Sequence, residues 1–207
     1  MNAAAGGGSD RPGGGVVVRP DGEQRATAPG VGAMGMAVFL ASLSMLFLAG
    51  LVGFLVIRFR AESWPPPGAP GLPPTLWASS VLLVGCSLAI QRGLKRIRRG
   101  DQTGLRRAIV TTLVLALLYL TSQLVGWIRL FGSPDFTAHL WGFTFFMLTA
   151  LHWVHVLGGV AAVAVVGRRA WTGQYSWAHY PGVRFCALYW HFLTVVWMVI
   201  IAALVLV

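Results

Sequence analysis

Three histidines, His152, His155 and His191, are the only acidic or basic side chains well inside the long apolar runs of this 207-residue chain. His152 and His155 are three residues apart, so in an α-helix they share one face, about one turn apart in height. Together with His191 they could ligate a metal ion. Zinc sites usually have three or four protein ligands, and neither a carboxylate nor a Cys/His pattern completes this set. The sequence therefore predicts no metal site.

Two of these histidines, His155 and His191, could instead bind one haem iron from facing helices. At 1.5 Å per residue, His155 lies about 16 Å from the end of its apolar run at Val166, and His191 lies about 9 Å from the end of its run at Phe185. The difference in depth of about 7 Å disfavours a shared iron, although helix tilt could reduce it. A small b-type cytochrome stays an alternative. The main interpretation is neutral histidines that hydrogen-bond to neighbouring helices or face a partner subunit.

Five uncharged runs must position these histidines. The chain is 56% hydrophobic with a mean hydropathy of +0.70, which is too apolar for a soluble domain. Each run has about 18 to 27 residues, the length of a helix that crosses a bilayer, and none alternates as a membrane β-strand does. The sequence predicts an all-α membrane protein, a bundle of five transmembrane helices within residues 31–207, with spans at about 33–57, 74–91, 108–128, 140–166 and 185–207.

The basic residues predict the orientation of this bundle. Of the 16 lysines and arginines, 13 lie in the N-terminal tail or in the loops after the second and fourth spans. The positive-inside rule places that side in the cytoplasm, with the C-terminus outside. Residues 1–30 are rich in Gly, Ala and Pro, cannot bury a core, and are predicted to be disordered. The net charge of +10 is typical of membrane-protein loops, so no nucleic-acid partner is predicted.

No Asp or Glu lies inside any predicted span. Proton relays and ion pathways through membranes usually contain carboxylates. Their absence argues against a proton pump and against a stand-alone metal transporter, which stays a further alternative. No phosphate loop, nucleophile elbow or HExxH motif occurs either. We therefore predict no catalytic or cofactor-binding residue in this chain.

Four stretches of the sequence together form a family pattern. They are FFMLTALHWVHVLGG in the fourth span, LYWHFLTVVW in the fifth, SQLVGWIRL in the third and PTLWASSVLL in the second, within residues 74–207. In these motifs and in their order along the chain, the sequence resembles subunit III of the haem–copper respiratory oxidases. The residues on matching positions are Thr75, Ser79, Ser80, Gln123, Trp127, His152, His155, Val156, Gly159, Tyr189, Trp190, His191, Phe192 and Trp197.

The chain departs from the family pattern at three positions. Ser44, Gly126 and Thr194 stand where the family carries membrane carboxylates. A proton-linked role of those carboxylates is therefore not carried over to this chain. Five spans instead of seven resemble the shorter bacterial members, so the family's lipid cleft, which is built with the two missing helices, is not implied.

The resemblance implies an accessory, cofactor-free subunit that stabilises subunit I and supports aerobic electron transport in the bacterial inner membrane. Haem and copper are then expected in partner subunit I. Subunits I and II and membrane lipids are the expected partners, with a bound phospholipid as a further expectation. A cytochrome c oxidase is favoured, while an accessory subunit of a quinol oxidase or of a nitric oxide reductase stays open. On this interpretation the chain is not catalytic by itself.

Overall fold

The computed structural model describes residues 30–64, 74–132 and 140–206. Five helices cover most of these ranges: α1 (Val31–Arg60), α2 (Thr75–Arg98), α3 (Gln102–Phe131), α4 (Leu140–Trp171) and α5 (Pro181–Leu206). Each is long and apolar enough to cross a membrane, and the described ranges contain no β-strand. The predicted all-α fold with five spanning helices is confirmed. The predicted disordered tail lies outside the described residues, except for Gly30.

The helices extend beyond the uncharged runs. α1 continues to Arg60 and α2 to Arg98, because basic side chains reach out of the hydrocarbon and interact favourably with the carbonyl end of a helix. α3 begins at Gln102 because the Asp101 carboxylate accepts a hydrogen bond from the Gly104 amide at 2.7 Å, which satisfies one of the first free N–H groups. The ends are thus set by charges and caps that a hydropathy pattern does not register.

The helices pack in an order that leaves α1 at the periphery. α2 and α3 form the most extensive pair, α3 packs on α4, α5 packs on α2 and α4, and α1 contacts only α4 and α5 among the described helices. Gly93 permits the α2–α3 approach, since a Cβ there would lie 3.0 Å from the Cβ of Ala108. Lipid provides no hydrophobic driving force between helices, so the close van der Waals packing that small residues permit stabilises such contacts instead.

One end of the bundle, where α2 and α4 end and α3 and α5 begin, carries most of the arginines of the described chain, and we call it the basic end. The Nε of Arg106 donates to the carbonyl oxygen of Ala170 at 3.3 Å, which caps the end of α4. Gln102 Nε2 donates to the backbone oxygen of Tyr175. Burial raises the pKa of the Tyr175 hydroxyl, an effect that nearby Arg169 partly offsets. These contacts hold the 172–180 connection against the start of α3.

Candidate functional site

His152 lies at the centre of the bundle and has no exposed surface. Its ring stacks on Trp197 of α5, with centroids 5.0 Å apart and planes at 30°. Phe47 of α1 and Tyr119 of α3 each place a ring 6.0 Å from it. The Nε1 of Trp197 donates to the hydroxyl of Ser80 on α2 at 3.0 Å. These five residues, which we call the central cluster, come one from each helix.

The ring of His152 acts in this cluster as a packing group. Neither of its nitrogens has a hydrogen-bond partner among the described residues, which is costly for a buried polar group. Stacking on aromatic rings offsets part of that cost. In the described ranges, no three His, Cys, Asp or Glu side chains lie close enough together to hold a metal ion. The arrangement therefore supports helix packing at His152.

His155 is half-buried and faces α1. Its Nδ1–H donates to the backbone oxygen of Leu151 at 2.7 Å, and its ring lies 5.0 Å from the ring of Phe47. Its backbone oxygen accepts a hydrogen bond from the Tyr189 hydroxyl at 2.9 Å. His155 thus contacts α1 through its ring and α5 through its backbone.

His191 is turned towards α2. Its Nε2 lies 3.0 Å from Oε1 of Gln91, and its Nδ1 is hydrogen-bonded to the Ser87 hydroxyl. Because an amide oxygen can only accept, Nε2 carries the proton and Nδ1 accepts from the serine. Both nitrogens of the neutral ring are therefore occupied by one helix. This geometry argues against a haem iron held between His191 and His155.

Replacing His191 by alanine is expected to lower the free energy of unfolding by about 1–3 kcal/mol, because two hydrogen bonds between α5 and α2 are lost. SDS titration of the detergent-solubilised chain, followed by circular dichroism, measures this. Thr121→Ala is the matched control, since the exposed Thr121 hydroxyl bonds within its own helix at 2.9 Å. If the two side chains bond directly, the double variant His191→Ala/Gln91→Ala should lose less free energy of unfolding than the sum of the two single losses. Losses that simply add would contradict the direct bond.

Two further family-matched residues of α3 are buried between helices. The Nε1 of Trp127 donates to the Thr149 hydroxyl on α4 at 3.1 Å. Gln123 is 2% exposed, and its amide nitrogen has no hydrogen-bond partner within the described ranges. On α5, Trp190 is fully buried and Tyr189 is 7% exposed. The matched side chains therefore lie in helix contacts, consistent with a structural role.

Several partners of these residues were not among the sequence-based candidates. Ser87 and Gln91 are four residues apart, so they share a face of α2, and that spacing could have indicated an interhelical site. Thr149 lies one turn before the paired histidines, which is a similar but weaker signal. Phe47 and Tyr119 carry no such signal, because apolar and aromatic residues occur throughout the spans.

Ser44, Gly126 and Thr194, where the resemblance led us to expect carboxylates, have structural uses of their own. The hydroxyls of Ser44 and Thr194 donate to carbonyls one turn earlier in their own helices, at 2.8 and 2.9 Å. A Cβ on Gly126 would lie 2.9 Å from Oγ1 of Thr75. The Thr75 side chain would therefore have to move before any larger residue could fit at this contact between α2 and α3.

Known proteins resemble this chain over most of its length. A family model described as cytochrome c oxidase subunit III matches residues 22–206. Cytochrome c oxidase subunit 3 of Synechocystis sp. is 31% identical over 174 residues, covering 83% of this chain and 74% of that protein. Subunit 3 of Thermostichus vulcanus is 27% identical, over 83% of this chain and 85% of that protein. Subunit 3 of Corynebacterium diphtheriae is 30% identical, over 82% of this chain and 85% of that protein. The resemblance seen in the four stretches is confirmed.

Proposed function

The chain belongs to the cytochrome c oxidase subunit III family, and from this premise we propose that it is the accessory subunit III of a bacterial cytochrome c oxidase. The observation that carries the proposal is the use of the interior histidines: His152 packs among rings, and both nitrogens of His191 bond to α2. Such a chain stabilises its neighbours and does not itself carry electrons. Haem and copper then lie in partner subunit I.

The proposed partners are oxidase subunits I and II, and the proposed location is the bacterial inner membrane. Five helices that can each cross a bilayer support a multi-pass membrane protein. The N-terminus is proposed to be cytoplasmic, because the positive-inside rule places the basic end in the cytoplasm. α1 begins at that end, where a Cβ on Gly32 would lie 3.2 Å from the ring of Phe185 near the start of α5. In this complex the chain stabilises subunit I and so supports aerobic electron transport.

Membrane lipid is a further proposed partner. An apolar groove of about 510 Å³ lies between α1, α4 and α5, and Phe39, Val165 and Phe185 are among its lining residues. Arg169 also lines it, near the basic end. A groove of this composition suits a phospholipid acyl chain, with the guanidinium available to the headgroup.

Affinity purification of the tagged full-length chain from its native membrane in a mild detergent tests the proposed function. The expected result is co-purification of subunits I and II, with the haem spectrum of an oxidase. An intact chain that is purified alone would overturn the proposal. Co-purification of nitric oxide reductase subunits would assign it to that complex instead. A Soret band that stays with the chain after the other subunits are removed would support a b-type cytochrome.

Single replacements of His152 and His155 by glutamine are expected to lower the yield of assembled complex modestly. Glutamine keeps a polar group but loses ring contacts with Trp197 and Phe47 that are worth about 1 kcal/mol. Oxygen consumption per haem in the assembled fraction should be unchanged. A large loss of turnover in a normally assembled complex would show that these histidines do more than pack.

A further inference from the structure

A pocket of about 420 Å³ opens between α2 and α3 at the basic end. Three arginines line it: Arg92 and Arg96, one turn apart on α2, and Arg107 on α3. Thr103 and Thr111 add hydroxyl groups to the lining, and Ala89 and Ala108 are its small apolar members. The pocket thus combines guanidinium donors from two helices with small apolar side chains.

The positive charge of this pocket is only partly neutralised. Asp101 is the one carboxylate that the described part of the chain places at the basic end. Its Oδ2 lies 3.2 Å from Nη1 of Arg96, and its Oδ1 caps α3. The structure gives Arg92 and Arg107 no ion pair within the described residues. Two forked guanidinium groups therefore face the same opening with donors suited to a phosphate group.

Apolar surface continues from the two arginines along both helices. On α2, Leu88 lies one turn before Arg92 and is 50% exposed, with Val81 further along the same side. On α3, Val114 and Leu118 follow Arg107 by seven and eleven residues, and each is 51% exposed. Residues at these spacings share a helix face. A ligand with a phosphate in the pocket could thus lay acyl chains along surface that faces the hydrocarbon.

We propose that the Arg92–Arg96–Arg107 pocket binds the phosphate headgroup of an anionic phospholipid from the leaflet at the basic end. The inference rests on the proposed function, in which membrane lipid is a partner. It adds a binding site for that lipid and a negative charge on its headgroup. Basic pockets between spanning helices on the cytoplasmic side suit such headgroups. This pocket is separate from the groove between α1, α4 and α5, with which it shares no lining residue.

Native mass spectrometry tests the proposal on the full-length tagged chain, purified in neutral detergent with whichever subunits accompany it. Phosphatidylglycerol and phosphatidylcholine of equal chain length are titrated, and inorganic phosphate is added as a competitor. The expected result is one phosphatidylglycerol retained per chain at low lipid concentration. Removing two charges in the double variant Arg92→Gln/Arg107→Gln should weaken this binding by about 10- to 30-fold.

The matched control is Lys95→Gln/Arg99→Gln, which removes the same charge from exposed positions of the basic end that do not line the pocket. It should leave phosphatidylglycerol binding nearly unchanged. The variant Arg92→Lys/Arg107→Lys keeps the charge and loses the forked donors, so partial weakening is expected even if the glutamine variant folds poorly. Circular dichroism checks the fold of each variant.

Three results would overturn the proposal. Equal retention of phosphatidylcholine would remove the preference for an anionic headgroup. Full displacement by inorganic phosphate at the same concentration would identify a free-phosphate site. Equal losses in the pocket variant and its control would indicate diffuse attraction to the basic end. Co-purified subunits appear in the same spectra, so a failure here leaves the proposed function separately tested.

Discussion

Replacing Trp197 by alanine is expected to lower the free energy of unfolding of the isolated chain by about 3–5 kcal/mol. The side chain is fully buried, stacks on His152 and lies 5.5 Å from the ring of Tyr119. Its N–H also bonds to Ser80 on α2. Truncation therefore leaves a cavity where α2, α3, α4 and α5 meet, and the lining loses dispersion contacts that lipid cannot replace.

SDS titration of the purified chain in detergent, followed by circular dichroism, measures this loss. Trp177→Ala is the control, because Trp177 is 71% exposed and its removal should change the free energy by less than about 0.5 kcal/mol. Trp197→Phe keeps a ring in the cavity but loses the bond to Ser80, so an intermediate cost is expected. Equal midpoints for the two alanine variants would contradict the central cluster as the point that joins the helices.

Replacing Gly159 by leucine is the second substitution with a large expected effect. A Cβ alone at this position would lie 3.2 Å from the Trp190 ring and 3.3 Å from that of Tyr189. The three further carbon atoms of leucine would have to displace these rings, so we expect α4 and α5 to separate. Overpacking of this kind costs about 1–3 kcal/mol or more. Separation should also break the hydrogen bond from Tyr189 to the backbone of His155.

The consequence for the complex is a sharp fall in assembled oxidase, measured as haem that co-purifies with the tagged chain. Gly53→Leu is the matched control for the isolated chain, because nothing lies within 4 Å of a Cβ at that position. Leucine also favours a helix over glycine by about 0.8–1 kcal/mol, so unfolding should then require as much SDS or more. A Gly159→Leu chain as stable as Gly53→Leu would show that α4 and α5 do not depend on this close approach.

The number and type of the helices follow from the sequence because each apolar run must satisfy its backbone hydrogen bonds internally in lipid. The histidines stand out because no Asp, Glu, Lys or Arg lies well inside these runs. The family was also recognisable from local stretches, since LHWVH and YWHF keep their spacing wherever the helices lie. The helix ends were less predictable, because Asp101 acts through a cap and Arg106 through a contact with α4.

The partners of each histidine were decided only by the tertiary structure. A span that is apolar on all sides gives little indication of which face meets a neighbour, since hydropathy fixes depth in the bilayer but not rotation about the helix axis. The sequence predicted hydrogen bonds to neighbouring helices, or contact with a partner subunit, for the interior histidines. His191 bonds to Ser87 and Gln91, about 100 positions away in the chain, whereas His152 has no hydrogen-bond partner among the described residues and packs among rings. By itself, the sequence determined that three polar rings lie inside five membrane helices. Their surroundings came from how those helices rotate and pack, because close contact between helices depends on side-chain shape at each crossing.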